Sequence, residues 1–361
     1  MFGFKMRPEI FKAAGFEDFK KDFNVGAGDL VITDRIFENI DFGCDVIYED
    51  DYGRGEPTDE KIDKMLELVS AKKCKRIIAV GGGTAIDISK LLVDSSKKTC
   101  EDVYESPIVK DRTLIAVPTT CGTGSEVTNI SIVAFVKKQT KIGRVDEALY
   151  PDQAVLIPEL LSNLPYGVFI TSSVDALIHS IESFLSPKAT EFSKMFSVRA
   201  MKAILSGYLK VTPGKTPDDL GEYLTASLYA GIAFSNAGCG LVHAMSYPIG
   251  GTYHLPHGAA NAKVFMNVMD YYNENGDLSE LFSIIGEVIG EDDVFNKLKT
   301  LINHLLVPKL LSEMGMNSDT SKEFAASVIA TQQRLLANAY IDTDEKNIEN
   351  IYNKMLEEEK A

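Results

Sequence analysis

Between Gly238 and Asn261 the sequence reads GCGLVHAMSYPIGGTYHLPHGAAN and holds three of the chain's five histidines, His243, His254 and His257. Histidine is the commonest metal ligand and the usual proton carrier near neutral pH, so such a concentration asks for a shared site. On one unbroken helix His243 and His257 would stand about 21 Å apart. Pro248, Gly250, Gly251 and Pro256 intervene, and these residue types break helices and turn the chain. If both imidazoles are to meet, a helix carrying His243 has to end, turn and restart near His257. Upstream, VDALIHSIESF (174–184) has Asp175 and His179 at i and i+4 of an amphipathic pattern, so both project from one face. One carboxylate and three imidazoles form a mixed O/N set suited to a catalytic divalent iron or zinc ion with an open position. Taken singly, each reads as a helix cap or an ordinary polar histidine; the breakers between them favour convergence.

A chain of 361 residues has the size of two domains, and 45% hydrophobic content is enough for two cores. No run reads as long enough to span a membrane. Lys5, Arg7, Lys12 and Lys20 interrupt the phenylalanines of the N-terminus, unlike a secretory leader. Five cysteines with no C-x-x-C pairing suit reduced thiols and a cytoplasmic location. A net charge of −15 argues against nucleic acid and anionic membranes as partners, and an anionic substrate would need a local positive site. No H-E-x-x-H occurs, which disfavours a metalloprotease.

Along the chain, residues 1–27 carry six phenylalanines and are expected to form an irregular cover on a first domain. DLVITD (29–34), DVIYED (45–50), RIIAV (76–80) and TLIAVP (113–118) read as strands, with helices at 58–72 and directly after Gly83. That alternation predicts a parallel sheet covered by helices over residues 1–164. Beyond Pro165 long helical patterns dominate, predicting an all-helical domain over 165–361.

Two loops of the first domain carry chemistry. In AVGGGTAIDISK (79–90) a strand, three glycines and a helix N-terminus succeed one another, which lets a phosphate approach the backbone. Ile86 stands where the dinucleotide fingerprint has its third glycine, and no P-loop Lys-Ser/Thr follows, so the loop alone indicates a phosphate site and no more. VPTTCGTGSEVT (117–128) follows another strand with hydroxyls and free N–H groups suited to pyrophosphate, ribose or a carboxamide. Two such loops place a nucleotide at the carboxyl ends of the sheet. Asp34, ending a strand, can bond an adenosine ribose hydroxyl and repel a 2′-phosphate, which selects NAD over NADP; a simple turn-forming Asp is the plainer alternative.

Jointly GGGTAIDISK, PTTCGTGSEVT, VDALIHSIE and the histidine stretch resemble the signature set of the iron-dependent alcohol dehydrogenases over roughly residues 26–340. The resemblance implies the dehydroquinate synthase-like fold: an α/β dinucleotide domain, a helical domain and a cleft between them. It further implies an NAD-dependent homodimer holding Fe2+, or Zn2+, through Asp175, His179, His243 and His257. Gly81, Gly82, Gly83 and Thr84 would cradle the pyrophosphate. Asp87, Thr119, Thr120, Thr123 and Ser125 would line the rest, and Lys141 would touch the cofactor. Many members have a histidine where this chain has Tyr247, a phenol with pKa near 10 and a poor neutral-pH base. Glu56-Pro57 replaces the frequent Asn-Pro, and the N-terminal segment differs from the usual opening. The implied reaction is metal-assisted hydride transfer on an anionic short-chain hydroxy acid or aldehyde. Its hydroxyl proton would leave through water or His254, and its carboxylate would meet Lys263, Arg334, Tyr247, Tyr253 or His254. The alternatives are a dehydrogenase of another short-chain alcohol or diol, a dehydroquinate synthase-like lyase, or a non-catalytic metal-binding protein.

Overall fold

The computed structural model describes residues 3–53, 55–137, 140–306 and 310–359. The chain divides into two compact units. One comprises Met6–Asn163 with Asp218–Leu224; the other comprises Leu164–Pro217 and Thr225–Ala361 with the N-terminal piece ending at Lys5.

The first unit is built on a parallel sheet of β1 (Glu9–Lys12), β2 (Asp29–Thr33), β3 (Asp45–Tyr48), β4 (Arg76–Gly81), β5 (Thr113–Pro118) and β8 (Gln153–Leu156). The strand order is β1-β8-β5-β4-β2-β3. β4 and β5 are almost wholly apolar because both faces are covered. Leu30, Ile32, Ile77, Ala79, Leu114 and Ala116 face one core. There they meet Ile62 and Met65 of α2 (Asp59–Ala71), Ile86 and Ile88 of α3 (Gly83–Leu91) and Val103 of α4 (Cys100–Glu105). The alternate residues Val31, Ile78, Val80, Ile115 and Val117 face the other core, closed by Phe16 and Phe19 of α1 (Phe16–Asp22) and by Phe42. The period-two switch of strand side chains produces this division. Thr58 caps α2 by accepting from Lys61 N–H, as its position before the apolar period predicts. A hairpin of β6 (Ile130–Phe135) and β7 (Thr140–Val145) follows the second loop and was not anticipated.

The N-terminal phenylalanines depart from the expected irregular cover. Phe11 belongs to a strand and Phe16 and Phe19 to a helix, with β1 pairing in register along β8 from Glu9–Gln153 to Lys12–Leu156. A single boundary at 164/165 also needs two exceptions. Phe4 stacks on Phe196 of the helical unit with ring centroids 5.8 Å apart, and Lys5 exchanges backbone bonds with the Asn236 side chain. Asp218–Leu224 belongs with the α/β unit, where Gly221 abuts Pro158.

The helical unit contains α5 (Tyr166–Leu185), α6 (Glu191–Tyr208), α7 (Gly221–Ala237, its first turn in the other unit) and α8 (Leu241–Tyr253). After these come α9 (His257–Asn275), α10 (Ser279–Ile289), α11 (Val294–Leu305), α12 (Ser318–Thr331), α13 (Gln333–Leu336) and α14 (Glu345–Glu358). By length and composition α5 is apolar enough to cross a bilayer, contrary to the sequence expectation, yet its apolar stretch is 78% buried in the protein. It is a core helix, packed on α6 and α9. Gly258 permits the α9 contact: a methyl group there would lie 2.4 Å from the Thr171 carbonyl oxygen. Contrary to the expected break, α8 runs through Pro248 as far as Tyr253. A helix-interior proline removes one backbone bond. One turn earlier, the Met245 carbonyl accepts from Tyr352 Oη of α14 at 2.5 Å. The reversal occupies only His254–Pro256, with His254 in the left-handed region at φ 51°.

Candidate metal centre and nucleotide loops

Asp175 and His179 project from α5, His243 from the first turn of α8, and His257 from the start of α9. Their ligand atoms all lie within 4.8 Å of one another. Asp175 Oδ1 stands 3.9, 3.7 and 3.9 Å from the Nε2 atoms of His179, His243 and His257. Ligand atoms about 2.1 Å from a tetrahedral ion stand about 3.4 Å apart, so this near-equal spacing suits one divalent cation after a small contraction. Asp175, His179 and His243 are buried, whereas His257 is about 29% exposed and forms the solvent side.

Glu182, which sequence reasoning did not single out, fixes the tautomer of His243. Its Oε2 lies 2.5 Å from His243 Nδ1, and its Oε1 accepts from Val242 N–H at 2.6 Å. The Nδ1 proton therefore faces the carboxylate and the Nε2 lone pair faces the cluster, the usual carboxylate–histidine–metal relay. Burial would push the Asp175 carboxyl up, but His179, His257 and His243 outweigh it and hold it below the ordinary range. His243 shows the opposite balance: burial lowers it, while Cys239 and Glu182 raise it well above an ordinary imidazole. The His179 ring is sandwiched between Phe234 and His243, with centroids at 4.3 and 4.7 Å. Asn261, also unanticipated, donates from Nδ2 to Asp175 Oδ1 at 2.7 Å and lies 3.1 and 3.2 Å from Nε2 of His243 and His257.

His254 is not among the side chains whose ligand atoms converge; it is exposed and ends α8. The Tyr247 ring is 6.0 Å from that of His257, beside the cluster. Tyr253 packs edge-on against Phe324. Lys263 is drawn to Glu359 and Glu313, and burial lowers its pKa. Arg334 lies exposed on α13. A sequence count of nearby cations says nothing about which way they face, and these two carry partners or solvent of their own.

In the α/β unit the two loops meet. A methyl group at Gly83 would fall 2.7 Å from Thr123 Cγ2, and one at Gly82 would fall 3.3 Å from Thr120 Cγ2. Gly81 is hemmed in by Ala85 and the Asp34 carboxylate, at 2.6 and 3.1 Å from such a methyl. Glycine is required here because one loop is pressed on the other. Thr119 N–H bonds Gly81 O at 3.0 Å, and Thr84 Oγ1 reaches Gly55 O at 3.4 Å. The side chains of Asp87 and Ser125, expected to line the nucleotide, bond each other and the ammonium of buried Lys90. Lys90 Nζ also donates to Thr128 Oγ1 at 3.0 Å and Ile130 O at 2.7 Å. Lys141 pairs with Glu56 at 2.5 Å, joining β7 to the position where the Asn-Pro departure occurs.

Two sequence profiles cover these parts: residues 16–158 match iron-containing alcohol dehydrogenase, and residues 169–356 match the C-terminal part of the Fe-containing alcohol dehydrogenase family. The chain is 42% identical to 4-hydroxybutyrate dehydrogenase of Clostridium kluyveri, covering 97% of this chain and 99% of that one. This chain belongs to the iron-containing alcohol dehydrogenases. A family member from Geobacillus thermodenitrificans, long-chain-alcohol dehydrogenase 1, is 30% identical over 82% of the chain and 79% of its own length. Among solved structures, sulfoacetaldehyde reductase from Bifidobacterium kashiwanohense in complex with NAD+ superposes with TM-score 0.86 at 20% identity, over 99% of both chains. A 1,3-propanediol oxidoreductase superposes with TM-score 0.85 at 23% identity, over 98% of this chain and 100% of that one. These two share the fold of this chain over 98–99% of its length.

Proposed function

We propose that the chain is an NAD-dependent dehydrogenase interconverting 4-hydroxybutyrate and succinate semialdehyde, working in the cytoplasm as a homodimer. The observation that carries this reading is the 42% identity to a 4-hydroxybutyrate dehydrogenase over nearly the full length of both chains. The four-donor cluster supports metal dependence. Asp175, His179, His243 and His257 would hold Fe2+, the family's namesake, and the same donor set accepts Zn2+. A divalent ion bound there supplies Lewis acidity, lowering the pKa of a substrate hydroxyl.

The residues have distinct tasks in this reading. Glu182 keeps the His243 proton on Nδ1, away from the cluster. The buried side of the cluster excludes water, and the His257 side admits the substrate. Gly81, Gly82, Gly83 and Thr84 offer backbone N–H groups at the start of α3 to the pyrophosphate. Thr119, Thr120 and Thr123 border those glycines, and Asp34 faces the ribose. Asp87 and Ser125 act as ties between the loops, and Lys141 is held by Glu56. Hydride passes between the carbinol carbon and the nicotinamide, whose redox chemistry belongs to the cofactor. Water at the open side is the route for the hydroxyl proton, with Tyr247 beside His257.

The test is NADH oxidation by protein reconstituted anaerobically with Fe2+, using succinate semialdehyde and butanal in parallel. A site that pairs the far carboxylate should favour succinate semialdehyde by about 10²–10⁴ in kcat/KM, because butanal leaves its polar partner unpaired. Equal efficiency on the two aldehydes would remove the carboxylate-specific reading and leave the family-level one.

A further inference from the structure

Asn261 is one turn of α9 after His257, and its side chain is fully buried. Its Nδ2 lies against three of the four converging ligand atoms: Asp175 Oδ1 at 2.7 Å, His243 Nε2 at 3.1 Å and His257 Nε2 at 3.2 Å. Two N–H bonds thus face three acceptors, while Asn261 Oδ1 is buried with no hydrogen-bond partner among the described residues. An orphaned buried oxygen is costly, and an apolar side chain would occupy the space without that cost. The carboxamide therefore has a task that its own packing does not supply.

Resting on the metal-dependent reading above, we propose that Asn261 is a positioning residue of the metal centre. Its amide fixes the Asp175 oxygen and covers the face bounded by Asp175, His243 and His257. When an ion takes the imidazole lone pairs, those two contacts cease to be hydrogen bonds. A carboxylate oxygen has a second lone pair, so the bond to Asp175 persists. This is the arrangement by which a ligating carboxylate is itself held by a hydrogen bond.

The experiment uses full-length protein freed of metal and titrated with Zn2+ against a chelator, and the Co2+-loaded protein is followed by its d–d absorption. Asn261→Ala is expected to weaken Zn2+ binding by about 10–100-fold. It should also reduce the Co2+ band intensity, as water enters the uncovered face and raises the coordination number. Asn261→Asp retains the shape but sets a second carboxylate beside Asp175, so its Co2+ spectrum should change as well. An Asn261→Ala protein with wild-type Zn2+ affinity and an unchanged Co2+ spectrum overturns the proposal. If that variant does not fold, an unchanged spectrum in Asn261→Asp overturns it alone. Wild-type protein that takes up neither ion overturns the metal-dependent reading itself, a result separable from failure of the Asn261 role.

Discussion

Glu182 and Asn261 show what single residues disclose before folding and what they conceal. Asp175, His179, His243 and His257 were legible because imidazole is rare in this chain and the i,i+4 spacing puts two donors on one face. Glu182 stands seven residues after Asp175, on that same face, but a glutamate in a helix ordinarily reads as a solvated charge. Asn261 follows His257 by four, and an asparagine announces nothing until its neighbours are known. Asp34 carries a testable specificity. Burial raises its pKa, Asp50 raises it further, and Lys61 opposes them. With Asp50 close enough to act on Asp34, a 2′-phosphate would meet two carboxylates. Replacing Asp34 with Gly should shift the NAD/NADP ratio of kcat/KM toward NADP by about tenfold or more, and an unmoved ratio refutes the assignment. Glu126 makes a pH prediction. Burial pushes its carboxyl up to about 7, with Lys90 opposing. The folded state holds that proton where the unfolded chain has lost it, so stability falls as pH rises from about 4.5 to 7. Glu126→Gln should raise the melting temperature relative to wild type at pH 8 and lose that advantage below pH 4.5. A constant difference across the range would show that Glu126 titrates alike in both states.

At the scale of elements, α3 and the segment from Ser125 to Ile130 are tied by the buried ammonium of Lys90 and by the Asp87–Ser125 side-chain bond. Removing it leaves the Asp87 carboxylate without its cation, a loss of about 3–5 kcal/mol for a buried pair. It also removes three of the bonds that hold the segment from Ser125 to Ile130 on α3. Lys90→Met should raise the KM for NAD by about tenfold while bound metal per chain stays at the wild-type level. A variant with unaltered KM for NAD would show that the tie serves stability alone. The sheet was readable because β2, β4 and β5 are short apolar runs followed by turn signals. β1 and the β6–β7 hairpin were not. Only pairing along β8 makes a strand of Glu9–Lys12, whose four residues are all exposed. Pro248 misled the reading for a related reason: a helix fixed by neighbours tolerates a proline that an isolated one does not, and here Tyr352 holds the preceding turn.

For the molecule as a whole, the two units should respond to different ligands. A ligand bound only by folded protein at about 100 times its Kd adds about 2.7 kcal/mol to stability. Chelating the metal should therefore speed amide exchange in α5, α8 and α9, with little change in β4 and β5; NADH should protect the loops after β4 and β5. Exchange in α5, α8 and α9 that ignores the chelator would count against a resident ion. The chain changes unit after Lys5, Asn163, Pro217 and Leu224. On a ribosome, the α/β unit thus lacks its last piece until residue 224 has emerged. The helical unit, in turn, starts from residues translated before any of its helices. A gene cut at codon 164 would deprive each product of a piece encoded in the other, so these units are made, and inherited, as one.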